Sequence, residues 1–183
     1  PSTSSGQVAR TNFIAGRGDY LVVEACEYRR SFLNLSPKIL VITNIDNDHL
    51  DYYKDLAVIQ SAFVEFVSKL PAGGFLICDP NDERLQPVLN KMKDIGCPVR
   101  VVDYTKEEIT VKLKAPGAHN IKNAQAALAV ARLIGVDTTI ARQALAQFTG
   151  TWRRFEFKGK TQEGALIYDD YAHHPTEIKA TLA

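Results

Sequence analysis

The chain has 183 residues, 45% apolar and 23% charged, with a formal net charge of +1 at pH 7. That balance suits a globular domain able to bury a core and predicts neither a nucleic-acid partner nor an anionic membrane. No apolar run reaches transmembrane length, and three widely spaced cysteines without a CxxC pair (Cys26, Cys78 and Cys97) exclude a disulfide framework or zinc ribbon and fit a reducing, cytoplasmic setting.

In chain order, Pro1 to Gly6 reads as a small polar loop, with no initiator Met and no signal peptide. Asp19 to Cys26 and Lys38 to Ile45 contain uniformly apolar runs, as buried parallel strands do. Leu56, Ile59, Phe63, Phe66, Val67 and Leu70 then form one stripe at helical spacing, stopped by Pro71 and the Gly73-Gly74 pair. Phe75 to Cys78 is strand-like. Asp79 to Asp82 offers a helix start, and Leu85, Val88, Leu89, Met92 and Ile95 mark the helix face. Val99 to Val102 is a further strand. This alternation predicts an α/β fold with a mostly parallel sheet flanked by helices.

A third helix is expected from about Ile121 to Ile134, with Gly135 as its stop and a small-residue face of Ala124, Ala127, Leu128 and Ala131. Asp137 or Thr138 caps a fourth. The character changes after Gly150. Trp152 to Phe155 leads toward a strand at Ala165 to Tyr168 and then a polar run, Asp169 to Pro175. We place a boundary near Gly150, giving units 1–150 and 151–183. The run from Pro175 to Ala183 reads as the opening of a helix, so both ends look cut.

Ligands of open α/β sheets bind beyond the carboxyl ends of strands. Glu24 ends the first apolar run and His49 follows the second, so the two are candidates to share a cation; by spacing alone they are equally a solvated glutamate and a loop histidine. Asp46, Asp48 and Asp51 flank His49; such a cluster of carboxylates is a metal site or a polar loop capping the next helix, and the loop is the reading for most of them. His119 and Asn120 open a helix after Pro116-Gly117, where an anion or nucleotide is welcome, and Asn123 carries an amide able to read a purine edge. Arg153 and Arg154 at the boundary suit phosphate contact on domain closure or a surface ion pair. Asp169, Asp170, Tyr171, His173 and His174 form a dense polar run after a strand. No G-x-x-x-x-G-K-[ST] occurs, and Gly16-Arg17-Gly18 is too short to cradle a triphosphate.

Five stretches, taken together, resemble the Mur ligases of bacterial cell-wall synthesis: Glu24 to Leu33, Thr43 to Tyr52, Pro116 to Asn120 with Asn123, Trp152 to Glu156, and Asp169 to Glu177. They occur in the family's order, and Asp-Asp-Tyr-Ala-His-His-Pro-Thr-Glu is specific for its alanine-adding branch. The resemblance implies a central ATP-binding domain without its P-loop at 1–150, and the first strand and helix of a Rossmann-like C-terminal domain at 151–183. It implies ATP and Mg2+ as cofactors and UDP-N-acetylmuramate and L-alanine as partners, joined through an acyl phosphate, with no nucleic acid and no membrane. Glu24 and His49 would be magnesium ligands. His119, Asn120 and Asn123 would lie at the adenine, and Asp169 or Asp170 at the ribose. Arg154 would face the γ-phosphate, with Tyr171 and His173 bordering the alanine site.

The chain departs from the family in places. Cys26-Glu27-Tyr28-Arg29 stands where many members have Asp-Glu-Ser-Asp. Tyr104 to Ala115 is short, so a peripheral sheet is expected to be trimmed. No lysine occupies Phe63 to Glu65, where several sister ligases carry a carbamylated one. A sister ligase adding glutamate or a tripeptide, or a non-catalytic nucleotide-binding derivative, remains open at this point.

Overall fold

The computed structural model describes residues 13–183; the loop expected at Pro1 to Gly6 lies outside them. The element order is a 3-10 helix Tyr28–Asn34, β1 Ile39–Val41, α1 Leu56–Val67, β2 Phe75–Cys78, α2 Gln86–Asp94, β3 Arg100–Asp103, a 3-10 turn Tyr104–Lys106, α3 Ala118–Leu133, α4 Thr138–Gln147, β4 Glu156–Lys160, β5 Leu166–Asp169 and α5 Pro175–Leu182. Strands β1, β2 and β3 form one parallel sheet in that order, with Leu40 paired to Leu76 and Ile77 to Val102.

Alternation along β2 explains the layering. Leu76 and Cys78 face one side, where the α1 stripe (Ile59, Phe66, Val67, Leu70) and the α2 stripe (Leu85, Val88, Leu89, Met92) bury against them. Ile77 faces the other side, packing with Tyr104, Ala126 and Ala129. A sheet covered on both faces accounts for its uninterrupted apolar strands. The Asp55 carboxylate caps α1 by accepting from the Val58 N–H at 3.0 Å. Asp137 caps α4 through Thr139 and Ile140. Gly135, at φ 80°, closes α3, and the following Val136 N–H reaches back to the Ala131 carbonyl at 2.9 Å.

Three expectations change. The run Asp19 to Cys26 forms no strand: no described strand offers it a ladder, and Leu21 and Val22 are 79% and 89% exposed. The α3 residues packed against the sheet are Ala126 and Ala129, with Val130 and Leu133, while Ala127, Leu128 and Ala131 of the expected face line an open groove against α4 and Ala124 is buried. Strand β4 was not legible. Its Glu-Phe-Lys-Gly-Lys has a single large apolar residue, and it forms because β5 pairs with it antiparallel around an irregularity between Phe157 and Gly159. Residues 107–117 carry no strand.

Candidate functional site

Three segments converge beyond the carboxyl ends of β1 and β2. They line a cleft of about 440 Å³ with Asn44, Ile45, Asp46, Asp82, Glu83, Arg84 and Thr176, the last from the first turn of α5. Asp46 is its hub. It forms an ion pair with Arg84, its carboxylate accepts the Asn47 N–H at 2.7 Å, and its side chain is 19% exposed. Burial works against its charge, but the Asn47 bond, hydrogen bonding from Thr176 and the charges of Arg84 and His174 outweigh that, holding the carboxyl below its ordinary range. On the opposite face of the sheet, Lys122 of α3 lies 3.7 Å from Asp79, just after β2, which draws the start of α3 to the same end.

The loop after β1 gathers a second group. His49 Nε2 lies 3.2 Å from Glu27 Oε1 and 3.8 Å from Asp48 Oδ2. These three side chains can bring ligand atoms within 4.8 Å of one another, the one such group among the described residues. His49 sits at φ 55°, in the left-handed region, which histidine enters more readily than most side-chain-bearing residues. Tyr28 packs on its ring with centroids 4.9 Å apart and donates to Asp51 at 2.9 Å. Tyr53, fully buried, bonds the Glu27 carbonyl through its hydroxyl and the His49 carbonyl through its N–H. Two carboxylates and an imidazole suit a small divalent cation that keeps waters and phosphate oxygens in its other positions. Glu24, expected as the partner of His49, stands outside this group in the exposed segment.

His119, Asn120 and Asn123 lie on the first turns of α3, His119 and Asn123 one turn apart and exposed. No side chain caps this helix, which leaves its first N–H groups as donors. The cap is Gly117 at φ 97°, and a Cβ there would meet His119 Cε1 at 2.6 Å, so only glycine lets the ring fold over the helix entrance. Asn120 donates back to the Pro116 carbonyl.

The final group is built by the β4–β5 hairpin. Arg153 lies 3.4 Å from Asp169, and its guanidinium carbon stands 5.0 Å from the Tyr171 ring centroid. Arg154 stands 5.8 Å from the same ring and 3.9 Å from Glu177. Asp169 also lies 3.9 Å from Lys158. Both Asp170 oxygens accept backbone N–H groups, from Phe155 and Ala172. The His173 ring bonds the Tyr171 carbonyl at 3.0 Å, and His174 and Glu177 form a capping box on α5. Arg153, Arg154, Asp169, Asp170, Tyr171 and His173 are thus one cluster. The sequence reading missed Glu27 as the contact of His49, missed Arg84 and Tyr53 altogether, and took Asp46 mainly as loop. Asp46 stood out only as one of the acidic residues flanking His49; nothing in the spacing marked Tyr53.

The fold is thus a parallel α/β sheet with polar groups gathered beyond the carboxyl ends of β1 and β2. Residues 7–108 match the Mur ligase middle domain, and the chain belongs to the Mur ligase family. It is similar to the UDP-N-acetylmuramate–L-alanine ligase of Caldicellulosiruptor bescii, at 44% identity over 94% of this chain and 43% of that protein. The corresponding ligase of Dictyoglomus turgidum is 41% identical over 91% of this chain and 41% of its own length. The chain therefore spans less than half the length of these relatives. Among solved structures, UDP-N-acetylmuramate-alanine ligase MurC from Thermotoga maritima superposes with a TM-score of 0.61 at 28% identity, covering 84% of this chain and 39% of that one. A murein peptide ligase from Psychrobacter arcticus gives 0.63 at 28% identity, over 83% and 35%. No helix among the described residues is long and apolar enough to cross a membrane.

Proposed function

We propose that this chain is the part of a cytoplasmic, ATP-dependent ligase that adds L-alanine to UDP-N-acetylmuramate in peptidoglycan synthesis. Residues 1–150 would be the central ATP-binding domain after its P-loop, and 151–183 the opening of the C-terminal domain. The observation that carries the reading is the cleft at the carboxyl end of the sheet. There the loops after β1 and β2 meet Thr176 of the first turn of α5, at the end of the sheet where open α/β folds bind ligands. The likeness to alanine ligases extends over 94% of the chain.

In this reading the lactyl carboxylate oxygen attacks the γ-phosphorus of ATP, ADP leaves, and an acyl phosphate forms. The amine of L-alanine then attacks the acyl carbon, loses a proton, and inorganic phosphate departs with one former carboxylate oxygen. Magnesium, when bound, neutralises phosphate charge. His49, with Glu24 by the family reading and Glu27 and Asp48 by the geometry, would hold it. His119, Asn120 and Asn123 take the adenine, and Asp169 or Asp170 the ribose. Arg154 offsets charge on the transferring phosphoryl group, and Tyr171 and His173 border the amine. Closure of the two units excludes water that would hydrolyse the acyl phosphate.

The test is isotopic. With the lactyl carboxylate labelled with ¹⁸O, the complete ligase should release phosphate carrying one labelled oxygen per turnover. Unlabelled phosphate would reject the acyl-phosphate route.

A further inference from the structure

Two turns of the hairpin unit are fastened together by one carboxylate. The Phe155 N–H donates to Asp170 Oδ2 at 2.6 Å, and the Ala172 N–H donates to Asp170 Oδ1 at 2.7 Å. A third bond joins the same turns, from the Tyr171 N–H to the Arg153 carbonyl at 2.7 Å. The first turn needs such support. Arg153 and Phe155 both lie in the left-handed region, at φ 54° and 51°, a conformation that side-chain-bearing residues keep only where surrounding contacts over-determine it. Arg154 sits between these two residues, so the course of its side chain follows from the turn. The second turn carries Tyr171, whose ring stands beside both guanidinium groups, and His173, whose ring bonds the Tyr171 carbonyl.

We propose that Asp170 is a positioning residue: by holding the Phe155 and Ala172 N–H groups it locks the Arg153–Phe155 turn to the Tyr171–His173 turn and so aims Arg154. A carboxylate offers about four lone-pair sites, so two remain for a hydroxyl-bearing ligand, and the positioning role is additional to any ribose contact. The consequence for catalysis rests on the proposed role of Arg154 at the transferring phosphoryl group. The structural part does not.

Two measurements test it. In the 183-residue chain, Asp170→Ala should speed amide hydrogen exchange at Phe155 and Ala172 together by about tenfold or more while Leu76 and Ile77 in β2 stay protected. Should Asp170→Ala not fold, Asp170→Asn retains one acceptor oxygen and should release one of the two amides. Unchanged exchange at both would overturn the proposal whatever the enzyme does. In the complete ligase, Asp170→Ala should lower kcat by about 10²-fold, the scale of a displacement near 1 Å. The Asp170→Ala/Arg154→Ala double variant should be no slower than the worse single one, because Asp170 acts through Arg154. Additive losses in kcat, or a raised KM for ATP with kcat unchanged, would show that Asp170 does not act through Arg154 and overturn the proposal. A complete protein without ligase activity would refute the proposed function and leave the exchange result to decide the positioning role.

Discussion

The buried hydroxyl of Tyr53 donates to the backbone carbonyl of Glu27. The N–H of Tyr53 also donates to the His49 carbonyl at 2.8 Å, so one residue fixes both partners of the 3.2 Å Glu27–His49 contact. Tyr53→Phe keeps the ring packing and removes only the hydroxyl; the Glu27 carbonyl, which also accepts the Arg30 N–H at 2.8 Å, keeps one of its two bonds. We expect a loss of about 0.5–1.5 kcal/mol of stability, the net worth of one hydrogen bond, read from the shift in urea midpoint. An unchanged midpoint would mean that Tyr53 does not hold the Glu27 segment.

The alkaline limb of stability follows from two buried groups. Burial pushes the Cys78 thiol up to about 12 from 9.0, with Asp103, Asp79 and Asp82 adding to it, and the Tyr104 phenol up to about 12 from 10.0. A raised folded pKa means that the folded chain holds its proton longer than the unfolded one. The stabilisation is therefore complete below pH 9 and lost as the pH rises toward 12. Thermal melts from pH 7 to 12 should show a falling Tm from about pH 9 upward, and Cys78→Ala should flatten the first part of that fall. A Tm level across this range would contradict the assignment.

Gly117→Ala tests the entrance to α3. The new Cβ would occupy space 2.6 Å from His119 Cε1 and force a φ of 97° on an alanine. The backbone term alone costs about 1–2 kcal/mol, and the ring must swing away. Calorimetry should find ADP binding to the complete ligase weakened by more than the same substitution lowers its stability, if His119 lies at the adenine. A loss of stability with ADP affinity intact would move the nucleotide elsewhere.

Arg154 and Arg153 should separate cleanly. Arg154→Ala should reduce kcat by about 10²–10³ with a smaller effect on ATP binding, as for a group felt mainly in the transition state. Arg153, paired with Asp169 and set against Trp152 and Tyr171, belongs to the architecture of the turn, so Arg153→Ala should lower Tm more than Arg154→Ala does. Equal and small effects of both would mark a surface ion pair.

The sequence disclosed whatever depends on local periodicity. The stripes of α1 and α2, the run Phe75 to Cys78, the Asp137 cap and the Gly135 stop all reappear because each is set by neighbours within a turn or two. It failed where structure depends on a distant partner. Asp19 to Cys26 reads as a strand by composition but finds no ladder among the described residues, whereas Glu156–Lys160 reads as polar and becomes a strand because Leu166–Asp169 pairs with it. The site shows the same division. Asp169, Asp170, Tyr171 and His173 were visible as one dense run. The meeting of Asp46 with Arg84 and Thr176, and of Glu27 with His49, joins segments far apart in the chain and follows only from the fold.

The central claim is that this chain belongs to an alanine-adding ligase, and amino-acid dependence tests it most directly. The complete ligase containing these residues would be given ATP, magnesium and UDP-N-acetylmuramate, and initial phosphate release compared with L-alanine, glutamate and a tripeptide as acceptors. The account predicts release on the order of 1 per second or faster with L-alanine and little with the others. Faster release with glutamate or the tripeptide, or none with any acceptor, would contradict it.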